Sequence, residues 1–169
     1  MKIYFSVWIS AALIVLSGCG YGFQSRGPIR GNVQTVHVKL FKNKSFESGA
    51  ETIFTSALIN EVMDRSTTDV VDEEKADAVF TGTIKSVSLR ALTRNTDGSV
   101  KERRVSATID LELVAEGGEV LWSVYDFKKS EDYSAESDNI TDMESRSESV
   151  REIAASMAET LVGRMIDDF

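Results

Sequence analysis

One cysteine, one proline and one histidine in 169 residues exclude several classes of function before any motif is sought. A lone Cys has no disulfide partner, and with a lone His it cannot supply the nitrogen and sulfur ligands of a zinc site. Nucleophilic catalysis needs a nucleophile, a base and an orienting acid that can meet, and His37 is the sole imidazole. The carboxylates show no EF-hand spacing, and neither a glycine-rich phosphate loop nor a dinucleotide fingerprint is present. Paired acids such as Glu73-Glu74 and Asp167-Asp168 fall in loop or terminal settings and read as solvated charge. The expectation is a protein without catalysis, metal or cofactor. Cations are a minority, 19 against 27 acids for a net charge of −8. That balance argues against nucleic acid, whose binding depends on neutralising phosphates. Beyond residue 16 there is no long apolar run, so no spanning helix is expected there.

The one apolar run stands at the start. Lys2 is followed by Ile3 to Leu16 without a charge, a stretch shorter than the ~20 residues of a spanning helix. A charged start, an apolar middle and a small-residue exit make a secretory signal. Its ending, Leu16-Ser17-Gly18-Cys19, resembles the bacterial lipobox, which implies cleavage before Cys19 and lipidation of that residue. Gly20, rather than an Asp, follows it, which favours the outer membrane. Acyl chains contribute ~0.8 kcal/mol per buried methylene, so a multiply acylated Cys anchors stably. The expected organisation is a signal over 1–18, a tether over 19–32 and a single domain over 33–169. The tether holds four Gly and the only Pro. Its Tyr21 and Phe23 either insert at the membrane interface or dock on the domain. Without the signal, 151 residues remain, and the loss of Lys2 makes the charge −9.

In the domain, Val36, Val38 and Leu40 alternate with Thr35, His37 and Lys39, predicting a strand with one buried face. Ser48-Gly49-Ala50-Glu51 reads as a capping box opening a helix to about Arg65, with Phe54, Ala57, Leu58 and Val62 on one side. Thr67 to Ala76 reads as a loop. A second strand is expected over Val79 to Leu92, then an Asp97-Gly98 turn. Val105, Ala107, Ile109, Leu111 and Leu113 give the third strand the cleanest two-residue period in the chain. Gly117-Gly118 turns the chain into a fourth strand, Val120 to Lys128, and completes an antiparallel meander. Lys129 to Ile140 reads as a loop. Thr141-Asp142-Met143-Glu144 reads as a second capping box, before a long helix with the stripe Val150, Ile153, Ala154, Met157, Leu161 and Met165. The order β-α-β-β-β-α predicts an α+β fold with two helices packed on one face of a four-stranded mixed or antiparallel sheet.

One feature opposes the acidic background. The hairpin between the second and third strands carries Arg90, Arg94, Lys101, Arg103 and Arg104, relieved only by Asp97 and Glu102. Guanidinium groups bind phosphate in bidentate fashion, so the tip suits anionic lipid or the phosphates of lipopolysaccharide. The other reading is a tip charged for solubility and to blunt edge pairing.

Several pieces align with one family. Cys19-Gly20-Tyr21-Gly22-Phe23 resembles the opening of the mature LptE lipoproteins of lipopolysaccharide assembly. Val36-x-Val38-x-x-Phe41-x-Asn43-x-Ser45 resembles that family's first strand and following turn, departing at Lys39, where many relatives carry Pro. Ala76 to Ile84, Trp122, the Asp126 to Tyr133 region and the long last helix sit in family order. The resemblance implies a non-catalytic outer-membrane lipoprotein that plugs and helps assemble the β-barrel LptD, delivering lipopolysaccharide to the cell surface. The same strand and turn pattern occurs in lipoprotein activators of peptidoglycan synthases and in secretion-channel accessories, which stand as the alternative.

Overall fold

The three alternating stretches become three long antiparallel strands, and the rest of the chain is arranged on one side of them. The computed structural model describes residues 26–30, 33–135 and 139–167. The signal, Cys19, Tyr21, Phe23 and Asp168 lie outside these residues. In chain order the elements are β1 (Thr35–Val38), β2 (Lys42–Asn43), α1 (Ala50–Arg65), β3 (Asp69–Val70), β4 (Ala78–Arg94), β5 (Val100–Ala115), β6 (Val120–Ser134) and α2 (Asn139–Asp167).

The sheet runs β3-β1-β4-β5-β6, with β2 also paired to β4. β1 is parallel to both β3 and β4, β2 is parallel to β4, and β4, β5 and β6 form the expected antiparallel meander. The α+β class with two helices holds, but the sheet has six strands rather than four. The two extra strands, β2 and β3, have two residues each, too short to show a period. Part of the expected Thr67–Ala76 loop is thus β3, where Asp69 N and Val71 N donate to Gln34 O and Val36 O at 2.9 and 2.8 Å.

β1 and β2 follow the same edge of β4, interrupted at residues 39–41. The interruption shifts the alternation by one residue, so Leu40 is 62 % exposed and Phe41 takes the inward place. Phe41 is seated by Gly82: a Cβ there would lie 2.5 Å from Cδ2 and Cζ of the ring. Its amide donates to Thr55 Oγ1 at 3.0 Å, while Thr55 Oγ1 donates to Glu51 O at 2.6 Å.

The start of α1 also departs from expectation. Gly49, at φ 80°, is the cap, and as a glycine it offers no side chain to the first amides, so Ser48 makes no cap. Glu51 accepts from Asn43 Nδ2 at 2.8 Å and from backbone amides at the helix start, so its carboxylate ties the β2 loop to the first turn of α1. β6 runs six residues beyond Lys128. Its polar end pairs with β5 up to Glu102–Ser134, and Lys129 Nζ donates to Ser156 O and Oγ at 2.9 and 2.7 Å. α2 begins at Asn139, so Thr141 lies inside the first turn and not at a cap.

The core lies between the helices and the inward face of the sheet. Val105, Ala107, Ile109, Leu111 and Leu113 are buried against Phe54, Leu58 and Val62 of α1 and the whole predicted α2 stripe. Removing such a side chain costs about 2–5 kcal/mol, which fixes both helices on the sheet. The helices run parallel: Arg146 pairs with Glu47 just before α1, and Arg65 Nη2 meets Glu159 Oε1 at 2.8 Å near both helix ends. Among residues 26–30, Gly27 bridges to Ser66 and lies against Ile166, Arg26 Nε donates to Asp64 O at 2.9 Å, and Ile29 is fully buried. The tether therefore joins the domain where α1 and α2 end.

Candidate functional site

The β4–β5 turn stands at the opposite end, beside the start of α2. With 29 residues at 1.5 Å each, α2 separates the two ends by about 43 Å. The turn is closed by its own polar groups. Asn95 N donates to Ser99 O at 2.8 Å, and Asp97 Oδ1 accepts from Ser99 N and Oγ at 2.9 and 2.6 Å. Bonding to the Ser99 hydroxyl, and then to its amide, lowers the Asp97 carboxyl below its ordinary range. Gly98, at φ 87°, supplies the left-handed position the turn requires.

The structure brings the five cations to this one end but divides them between faces. Arg90 lies opposite Arg104 in the ladder, and Ala91 opposite Arg103. Val105, next along, is inward and buried, so alternation places Arg103 on the helix-covered face and Arg104 with Arg90 on the open face. Arg104 grips Asp132 of β6 through Nε and Nη2, at 2.6 and 2.7 Å. That bidentate bond raises the guanidinium's affinity for its proton and lowers the Asp132 carboxyl. Arg103 reaches under α2 and donates to Asp142 Oδ2. Arg94 Nη1 donates to Gly98 O at 3.0 Å, within the turn. Arg90 and Lys101 are exposed, and neither side chain has a partner among the described residues. Thr93 Oγ1 donates to Glu102 Oε2 at 2.8 Å.

The chemistry available is that of anion recognition: two unpaired cations at the rim and two arginines whose geometry already suits an oxyanion. Sequence reasoning missed the carboxylates that hold those arginines. Asp132 lies in the part of β6 read as loop, and Asp142 was assigned to a cap. A signal for Asp132 existed in Tyr133, the one aromatic of the polar run.

The remaining candidates stay apart. His37 Nδ1 lies 3.0 Å from Val71 O, at the β1–β3 edge, with no nucleophile bonded to it. Among the described residues no three His, Cys, Asp or Glu side chains gather as metal ligands. No helix there is long and apolar enough to cross a membrane, which leaves strand-based spanning unaddressed. The lipidation candidate, Cys19, lies outside the described residues.

Solved structures share the fold. A solution structure of an uncharacterized lipoprotein B from Nitrosomonas europaea superposes with a TM-score of 0.58 at 14 % identity, covering 87 % of this chain and 88 % of that one. A putative lipoprotein from Caulobacter crescentus matches at 0.53 and 10 % identity, covering 75 % and 88 %. A Xanthomonas campestris protein matches at 0.53 and 9 %, covering 86 % and 88 %. At such identities the likeness establishes architecture alone. No curated protein sequence matches the chain. The family profile described as LptE, lipopolysaccharide-assembly, matches residues 33–165, from just before β1 to the last turn of α2, and the chain therefore belongs to this non-catalytic LptE family of lipopolysaccharide assembly.

Proposed function

We propose that the chain acts as a lipoprotein held in the outer membrane by acylated Cys19. It seats in the lumen of an LptD-like β-barrel, helps assemble that barrel, and offers the β4–β5 hairpin to the phosphates of lipopolysaccharide on their way to the surface. The observation that carries this reading is the separation of the two ends. The tether joins where the helices end, while the cations, with Arg90 and Lys101 unpaired, sit about 43 Å away beside the start of α2. A protein anchored at one end and basic at the other suits a plug that receives an anionic lipid beyond its own anchor. The polar lumen of a barrel accommodates an acidic domain whose core is buried between the helices and the sheet.

An affinity pull-down of the lipidated protein from outer membranes, with mass spectrometry of what stays bound, tests the partner. A stoichiometric large β-barrel supports the plug. A peptidoglycan synthase or a secretion channel in its place overturns it. Arg90→Glu with Lys101→Glu is expected to weaken lipopolysaccharide binding with unchanged thermal stability, and unchanged binding would leave the hairpin charged for solubility alone.

A further inference from the structure

We infer that the free edge of β6 pairs with the same edge of a second copy of this chain, antiparallel about Ser130, to make a two-fold dimer.

β6 stands last in the sheet order, and among the described residues no strand lies beyond it. Its pairing with β5 determines which of its main-chain groups stay open. Ala135 N donates to Lys101 O at 2.9 Å, so the odd-numbered residues from Phe127 to Ala135 turn their amides and carbonyls toward β5. The even-numbered Lys128, Ser130 and Asp132 turn theirs to the free side. The hydroxyl contact between Ser130 and Ser106, at 2.7 Å, fits a close pair that is not bonded through the main chain, as this register requires. The regular stretch begins after Asp126, whose φ of 53° marks a break in the strand.

An open strand edge invites another strand, and proteins commonly block it with charge. Charge of one sign would repel a second copy. Here the signs are mirrored. Phe127-Lys128-Lys129-Ser130-Glu131-Asp132-Tyr133 reads aromatic, two cations, serine, two anions, aromatic, and it is neutral in a chain of net charge −8. Laid antiparallel on a second copy about Ser130, it sets Lys128 opposite Asp132, Lys129 opposite Glu131 and Phe127 opposite Tyr133. Opposed residues also share a face. Phe127, Lys129, Glu131 and Tyr133 lie across from Ile109, Ala107, Val105 and Arg103 on the helix-covered side, and Lys128, Ser130 and Asp132 lie on the open side. Cross-strand pairs of opposite charge and of aromatics are the kinds that stabilise a sheet.

The groups that would pair are at hand. The side chains of Lys128 and Glu131 have no partner among the described residues. Lys129 Nζ spends two bonds on Ser156, which leaves the third donor of its ammonium for Glu131 of the other copy. At the dyad, the Ser130 amide of each copy donates to the Ser130 carbonyl of the other. The dyad is normal to the sheet, so the two sheets become one with all four helices on the same side. The tethers leave at opposite ends of the joined sheet, and both reach one membrane when that sheet lies along it.

The test is cross-linking of the full lipidated chain in isolated membranes, with the wild-type chain as the control for Cys19. Under mild oxidation Ser130→Cys is expected to form a disulfide-linked homodimer, because residues bonded across antiparallel strands lie about 5.5 Å apart at Cα. Lys128→Cys is expected to cross-link about tenfold less, its copies lying ~13 Å apart in this register. Lys128→Glu with Glu131→Lys makes every ionic contact of the dyad repulsive while breaking none within the chain. That variant is expected to dimerise about tenfold more weakly in analytical ultracentrifugation of the lipidated chain in detergent, with an unchanged thermal midpoint. Equal cross-linking at 128 and 130, or a dimer indifferent to the double charge reversal, overturns the inference. So does the absence of a Ser130→Cys homodimer, including the case in which a different protein is captured there.

Discussion

Arg103 and Asp142 join the inward face of β5 to the first turns of α2, whereas the next residue, Arg104, turns to the open face and holds Asp132. Two arginines adjacent in sequence therefore do different work. The Arg103 and Asp142 side chains are 29 % and 14 % exposed, while Arg104 and Asp132 are 45 % and 47 %. Arg103→Glu sets two carboxylates together under a helix and is expected to cost about 2–3 kcal/mol in urea unfolding. Arg104→Glu disturbs a pair in water and is expected to cost about 1 kcal/mol or less. Equal losses would contradict the division of the hairpin into two faces.

Phe41 and Gly82 make a second pair with a direct consequence. Gly82→Ala drives a methyl into the Phe41 ring, which is itself packed against Phe54 at a centroid distance of 6.4 Å. A loss of about 1–3 kcal/mol is expected, as for other overpacked cores. Phe41→Leu in the same chain frees that space, so the double variant should lose less than the sum of the two single losses. Strict additivity in a double-mutant cycle would show that the ring moves aside freely.

The contrast between these sites explains what the sequence made legible. Alternation in β5 and the three-and-four stripe of α2 were readable because each pattern repeats five or six times in residues whose burial is decided by one face. Leu40 defeated the same rule: a break in one edge strand is a tertiary event, set by Phe41 finding Gly82 more than 40 residues away. The five cations were readable as a group, but their partners were not. Asp132 and Asp142 are brought to Arg104 and Arg103 across 28 and 39 residues, and nothing in the spacing announces it.

Asn43 carries the turn that the expected Ser48 cap does not. Its Oδ1 accepts from Ser45 N and Oγ at 2.9 and 2.7 Å, and its Nδ2 donates to Glu47 O and Glu51 Oε2 at 2.7 and 2.8 Å. Asn43→Ala is expected to destabilise by about 1–3 kcal/mol. Ser48→Ala should stay within about 0.5 kcal/mol, since the cap is Gly49 and the Ser48 side chain makes no cap bond. Thermal denaturation of the two variants side by side checks this, and a larger loss for Ser48→Ala would restore the capping box.

Asp77 sets the expected response to acid. Its Oδ2 accepts from Thr35 Oγ1 and Thr35 N, both at 2.9 Å, and from Gln34 N at 3.2 Å, tying the start of β4 to β1. These bonds, the Thr35 hydroxyl first, hold its carboxyl below the ordinary range. Asp132 is lowered by Arg104, Glu73 by Lys39, and Asp97 by Ser99. A carboxylate lowered on folding contributes stability above its unfolded value, near 4, and loses it as pH falls through the folded value. Glu61 works in the opposite sense. Burial raises it, so its contribution is present at low pH and declines as pH rises through its folded value. Glu51 is lowered too, by its own backbone amide and by Asn43. Five lowered groups outweigh one raised group, so the urea midpoint should fall steadily between about pH 5 and pH 2. Asp77→Asn cannot ionise and should lower stability at neutral pH while flattening that decline. An acid limb as steep as that of the wild type would mean that Asp77 is not among the groups that set it.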